Sequence, residues 1–207
     1  MHRRLGVSVV LAGLMAIPLG SVSMNVAVAA GGVIEGSIKA TGLASNGDAV
    51  VYIQQMPGSF AAPEKPADVD QRSMQFTPHV LPIVAGATVR FLNSDPTPHN
   101  VFSPDHEKYN LGTWPQGQTK DHAFAKCTKA PCVYVQLCRV HPEMEAYVVE
   151  LQNPFFAVSG KDGSYKIENV PPGSYSLAVW HAKLKSPPKP VTVDGAKPAV
   201  VDFALGR

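Results

Sequence analysis

The stretch Tyr134-Val-Gln-Leu-Cys138-Arg-Val-His141-Pro-Glu-Met144-Glu-Ala-Tyr-Val constrains this chain more than any other. Two apolar, β-branched runs of strand character flank a short loop. That loop carries a thiol, an imidazole and a thioether at i, i+3 and i+6. A connection so short forces its two flanking runs to lie near each other. Pro142 holds the preceding His141 extended rather than helical. About forty residues upstream, Phe91-Leu-Asn-Ser-Asp-Pro-Thr-Pro-His99-Asn100-Val-Phe shows a strand, a turn and a histidine re-entering a strand.

The rest of the chain reads as all-β. Its 19 prolines and 17 glycines break the sequence into short β-branched and aromatic runs, and no long stretch carries helical periodicity. Asp162-Gly163 is a hairpin signal, and Pro171-Pro172-Gly173 sets another turn. The sequence predicts strands at 33–39 and 48–54, a loop or linker over 57–70, and an irregular excursion over 102–117 that contains His106, Tyr109 and Trp114.

Residues 1–29 read as a secretory signal peptide. Arg3 and Arg4 precede an apolar run from Leu5 to Leu19, and Ala27-Val28-Ala29 offers a small-residue cleavage site. The apolar run is shorter than the roughly twenty residues of a membrane span. The expected product is a periplasmic protein without a membrane span. Without Arg3 and Arg4 the 18 basic residues fall to 16, against 16 acidic ones, which argues against nucleic acid as a partner.

An oxidising compartment favours a disulfide between Cys127 and Cys132, five apart around Thr-Lys-Ala-Pro; two thiols of a second metal site are the alternative. Cys138 is then the odd thiol. Alone it would be an ordinary buried thiol, and Met144 alone an ordinary core residue. Together with His141 and His99 they form the donor set that selects copper: two imidazoles, a thiolate and a weak axial thioether. Glu143 and Glu145 beside Met144 keep a carboxylate axial ligand open. His79 reads as a surface or sheet-edge residue, with a second metal site as the minor alternative. His106, His122 and His181 read as surface or packing residues, with His122 expected to be exposed.

Phe76-Thr-Pro, Gly86-x-Thr88-Val89-x-Phe91-x-Asn93, His99-Asn100-Val101 and Cys138-x-x-His141-x-x-Met144 resemble the cupredoxins over residues 70–152. The last loop has the spacing of the amicyanin type. The resemblance implies a Greek-key β-sandwich holding one type 1 copper ion. It implies His99, Cys138 and His141 as equatorial ligands, Met144 as axial ligand, and Asn100 as the residue tying the two ligand loops together. It also implies single-electron exchange with redox partner proteins, with no enzymatic activity expected. A copper carrier or storage module, or a docking domain for a partner enzyme, are the other readings.

The C-terminal stretch resembles a second family, the carboxypeptidase regulatory-like (transthyretin-like) sandwich, through Asp162-Gly-Ser-Tyr165 and Val170-Pro-Pro-Gly-Ser-Tyr-Ser-Leu177. Its opening strands match residues far upstream. The expected organisation is therefore a discontinuous sandwich, 32–55 with 154–207, joined to a copper domain over 56–153. The other parse gives Ala49–Gln54 to the copper domain.

Overall fold

The computed structural model describes residues 31–125 and 127–207. The signal-peptide reading falls on residues 1–29, outside the described residues. The described chain is all-β, and among the described residues no helix is long and apolar enough to cross a membrane.

The strands are β1 (Gly32–Ala40), β2 (Val50–Ile53), β3 (Ala67–Arg72), β4 (Gln75–Thr77), β5 (Val80–Val84) and β6 (Thr88–Asn93). Then come β7 (His99–Ser103), β8 (Tyr109–Trp114), β9 (Thr119–Ala123), β10 (Cys132–Leu137) and β11 (Glu145–Leu151). The last are β12 (Phe156–Val158), β13 (Ser164–Val170), β14 (Gly173–Trp180), β15 (Lys189–Val193), β16 (Ala199–Val200) and β17 (Phe203–Leu205).

They form four sheets. Strands from the two ends of the chain pair with one another: β13-β1-β16, with β17 also on β1, and β12-β2-β14-β15. The central strands do likewise, as β5-β11-β10-β7-β8 and β4-β3-β6-β9. One core lies between the first two sheets, around Ile34, Ile38, Val51, Ile53, Leu177 and Phe203. A second lies between the central sheets, around Val69, Val89, Phe91, Val101, Trp114 and Val148.

β2 and β11 face apolar neighbours on both sides, which explains why their buried residues do not alternate with exposed ones. In β2, Val51 and Ile53 enter the first core, while Val50 and Tyr52 pack with Val80, Val149, Leu151 and Ala178 in a third cluster. In β11, Ala146 and Val148 point to the central core, and Val149 and Leu151 to that same third cluster. Period-two alternation turns successive side chains to opposite faces. The third cluster therefore cements the central sheets to the outer ones. Most other strands alternate plainly, as in β6, where Val89, Phe91 and Asn93 are buried and Thr88, Arg90 and Leu92 are partly exposed.

The turn at Asp162-Gly163 joins β12 to β13, but it is not the hairpin the sequence predicts. β12 pairs with β2 and β13 with β1, so the turn carries the chain from one sheet to the other. Gly163 adopts φ +92°, and a Cβ there would collide with the backbone of Ile38. Two further segments differ from the sequence expectation. The linker over 57–70 ends in β3, whose Val69 packs into the core beside β6. The excursion over 102–117 contains β8, which pairs antiparallel with β7 from His99↔Trp114 to Ser103↔Tyr109. Its irregular composition conceals a strand because its inward residues are Trp114 and partly buried Tyr109 and Leu111 rather than β-branched ones.

Candidate metal centre

β6 and β7 are joined by Ser94-Asp-Pro-Thr-Pro98, a turn stiffened by two prolines. Asn93 closes it: Oδ1 accepts the Asp95 N–H at 2.9 Å, and Nδ2 donates to the carbonyls of Thr97 (3.0 Å) and Trp114 (3.1 Å). His99 opens β7 and is fully buried. β10 and β11, antiparallel from Cys132↔Glu150 to Leu137↔Glu145, present the Cys138–Met144 loop at the same end. Within it the Met144 N–H donates to the His141 carbonyl at 3.0 Å.

The structure brings three of the predicted residues together. One ligand atom from each of His99, Cys138 and His141 lies within 4.8 Å of the others. Cys138 is 3% exposed and Met144 1% exposed, both in the central core, while His141 is half-buried. The flanking Glu143 and Glu145 are exposed, and Glu145 Oε1 accepts the Tyr147 hydroxyl at 2.6 Å.

Hydrogen bonds from β7 orient the site. Asn100 donates its backbone N–H to Cys138 Sγ at 3.4 Å, and its Oδ1 accepts the Arg139 N–H at 3.4 Å. Its Nδ2 is anchored on Asn110 Oδ1 (2.9 Å) and the Gly112 carbonyl (2.7 Å). One asparagine thus ties the cysteine loop to β7 and β8.

Sequence reading missed Asp95. Its Oδ2 lies 2.8 Å from His99 Nε2, and it also accepts the Ser73 and Met74 N–H groups at 2.6 and 2.8 Å. Burial pushes this carboxyl up, but the Met74, His99 and Ser73 hydrogen bonds outweigh it and hold Asp95 below the usual aspartate range. An ionised acceptor places the His99 proton on Nε2, leaving Nδ1 as a lone pair. That nitrogen faces His141 Nδ1 at 3.0 Å. The signal in the sequence was an acid four residues before His99, in the same Pro-flanked turn.

Cys127 and Cys132 are joined in a disulfide, and Cys138 is free. Glu150 lies beside the disulfide sulfurs. It is fully buried and accepts from the Gly86 N–H (2.9 Å), the Cys127 N–H (2.9 Å) and the Tyr134 hydroxyl (3.2 Å). This second cluster is a structural clamp, since its sulfurs are bonded to each other and its carboxyl group already accepts from three donors.

Against expectation, His122 is not exposed. Its side chain is 15% accessible, stacked on Tyr109 at 3.7 Å and 3.2 Å from Glu107. β8, missed in the sequence, brings Tyr109 over it. His106 is exposed beside the Tyr134 ring. His181 Nδ1 accepts the Lys183 and Leu184 N–H groups.

No family model and no curated protein matches this sequence. Among solved structures it is similar to a copper-containing nitrite reductase from Thermus scotoductus SA-01, at 25% identity and a TM-score of 0.40. That match covers 48% of this chain, which spans only a quarter (25%) of the reductase. The chain is also similar to a reduced tryptophan-to-tyrosine mutant of amicyanin (23% identity, TM-score 0.38, 42% of this chain and 84% of that one). A purple cupredoxin from Nitrosopumilus maritimus is a further match (25% identity, TM-score 0.36, 41% of this chain and 98% of that one).

Proposed function

We propose that this chain is an exported copper protein that passes single electrons between redox partner proteins in the periplasm, and is not itself an enzyme. The observation that carries the reading is the convergence of His99, Cys138 and His141 within 4.8 Å, with Met144 buried in the same core cluster as Cys138. Atoms so spaced can all bond one first-row ion at about 2.0–2.3 Å. Two imidazoles and a thiolate with a weak thioether are the donors copper takes in electron-transfer sites.

Bound copper would supply a one-electron couple. The chain's residues do the rest. Asp95 fixes the His99 tautomer so that Nδ1 is available. The Asn100 N–H supports the sulfur charge that ligation by a thiolate requires. Burial of His99, Cys138 and Met144 excludes water, and half-buried His141 offers the edge nearest a partner. Rigid strands on both sides keep the donors in one arrangement for both oxidation states.

The same reading assigns residues 56–153 to a cupredoxin unit. Residues 32–55 and 154–207 form a regulatory-like sandwich that braces β11 from behind; the separate strand pairing of the two sets supports this division. The test is the visible absorption of the copper(II)-loaded protein. An intense thiolate-to-copper band that disappears in Cys138→Ala is expected. A colourless adduct, or no binding, sinks the proposal.

A further inference from the structure

Glu150 and the Cys127–Cys132 disulfide form a second group of converging donors, with both sulfurs and a carboxylate oxygen within 4.8 Å of one another. Glu150 is fully buried, while both cysteines are half-buried and so within reach of a reagent from solvent. A carboxylate offers about four lone-pair positions. Here the Gly86 and Cys127 N–H groups take two on Oε1, and the Tyr134 hydroxyl takes one on Oε2. The open position is therefore on Oε2. All three donors are neutral, and no ion pair among the described residues includes Glu150. A buried carboxylate without a counter-cation loses solvation that neutral donors only partly replace.

These contacts outlast the S–S bond. Cys127 is held by its own N–H on Glu150 Oε1, and Cys132 by β10, where it lies opposite Glu150 in the β10–β11 ladder. The disulfide joins residues only five apart, and so short a loop constrains the unfolded chain less than a long one. Reduction therefore leaves both sulfurs beside the carboxylate.

We propose that reduction of the Cys127–Cys132 disulfide opens a zinc site made of the two thiolates and the Glu150 carboxylate, with water as fourth ligand. A dithiol reductant supplies two electrons and two protons. It becomes a disulfide as the Cys127–Cys132 S–S bond breaks into two thiols. Zinc then displaces both thiol protons to solvent. Thiolates and a carboxylate are ligands that zinc takes in tetrahedral geometry, and its two positive charges offset the buried carboxylate. The disulfide is thereby a gate. Oxidised, the group clamps β10 and β11 to the turn at Gly86; reduced, it takes metal. Cys132 precedes Cys138 by six residues, roughly 20 Å along an extended strand. The site shares no donor with the first centre, and its argument does not use the copper reading.

The experiment uses the full chain carrying Cys138→Ala, which removes the thiolate of the first centre. Zinc(II) is titrated anaerobically, against a chromophoric chelator, into the oxidised protein and into protein reduced by a dithiol that is then removed. One equivalent is expected to compete with the chelator after reduction, and none before it. The reduced chain should keep its β-sheet circular dichroism, and bound zinc should protect both thiols from alkylation. Adding Cys127→Ser or Cys132→Ser should abolish the equivalent. Difference infrared spectra should show a carboxylate stretch shifting as zinc enters the reduced protein, a readout that needs no Glu150 variant. A reduced chain that unfolds or binds no zinc overturns the proposal. So does an equivalent that survives either serine substitution, or one that enters without a carboxylate shift.

Discussion

Asp95 Oδ2 lies 2.8 Å from His99 Nε2, and the same carboxylate caps the Ser73 and Met74 N–H groups of the β3–β4 turn. Both of those residues sit at positive φ, 54° and 56°, in a turn that the carboxylate holds together. Ligand orientation and turn geometry therefore depend on one side chain. Asp95→Ala is expected to lower copper affinity about 10- to 100-fold. It should also cost ~1–3 kcal/mol by leaving part-buried donors without an acceptor. A competition titration and urea unfolding measure the two effects separately.

Asn100 separates backbone from side-chain support. Asn100→Ala retains the N–H to Cys138 Sγ but removes the acceptor of the Arg139 N–H and the donor to Asn110 and Gly112. The thiolate-to-copper band should survive. The reduction potential should shift and stability should fall by ~1–3 kcal/mol. Loss of the band in this variant would show that the sulfur is held through the side chain instead.

Glu150 tests the opposite end of β11. It lies six residues beyond Met144, roughly 20 Å along an extended strand. Glu150→Ala strands the Gly86 and Cys127 N–H groups and the Tyr134 hydroxyl. The expected loss is at least ~3 kcal/mol, since each donor was bonded to a buried carboxylate. The copper spectrum of the folded variant should be unchanged. A spectral change would mean that strain travels the length of the strand.

Acid stability reports on the outer sheets. Side-chain and backbone hydrogen bonds from Ser37 hold the Asp202 carboxyl below its ordinary value, linking β1 to the segment before β17. A depressed folded-state pKa stabilises fully above the unfolded value of about 3.9 and is lost as pH falls through the folded one. Asp202→Asn should therefore be less stable than wild type at neutral pH. The gap should close below about pH 4, as read by denaturant titrations across pH.

Much of the molecule is legible in one dimension because local rules dominate there. The alternating run Thr88–Asn93 reads as a half-buried strand, and Asp162-Gly163 as a tight turn, since pleat and turn geometry act over a few residues. Which strands pair across that turn is not local, and β12 and β13 go to different sheets. The Cys138–Met144 loop announces its chemistry because the short connection keeps its donors close. β8 was hidden because its fit depends on Trp114 and Tyr109 packing against partners far away in the chain.

What the sequence alone determined was the all-β class and the donor types and their spacing. These follow from residue chemistry and neighbours within a turn. The structure decided between a disulfide and a pair of metal-binding thiols at Cys127 and Cys132, and the disulfide it shows leaves Cys138 free. Tertiary structure alone decided which carboxylates matter. Asp95 meets His99 only when the Pro-flanked turn closes, Glu150 meets Gly86 and Cys127 only across strands, and Asp48 meets His79 only where the outer and central sheets join. A charge becomes a clamp or an orienting partner through what burial places opposite it, and that is set by sheet packing rather than by adjacency in the chain.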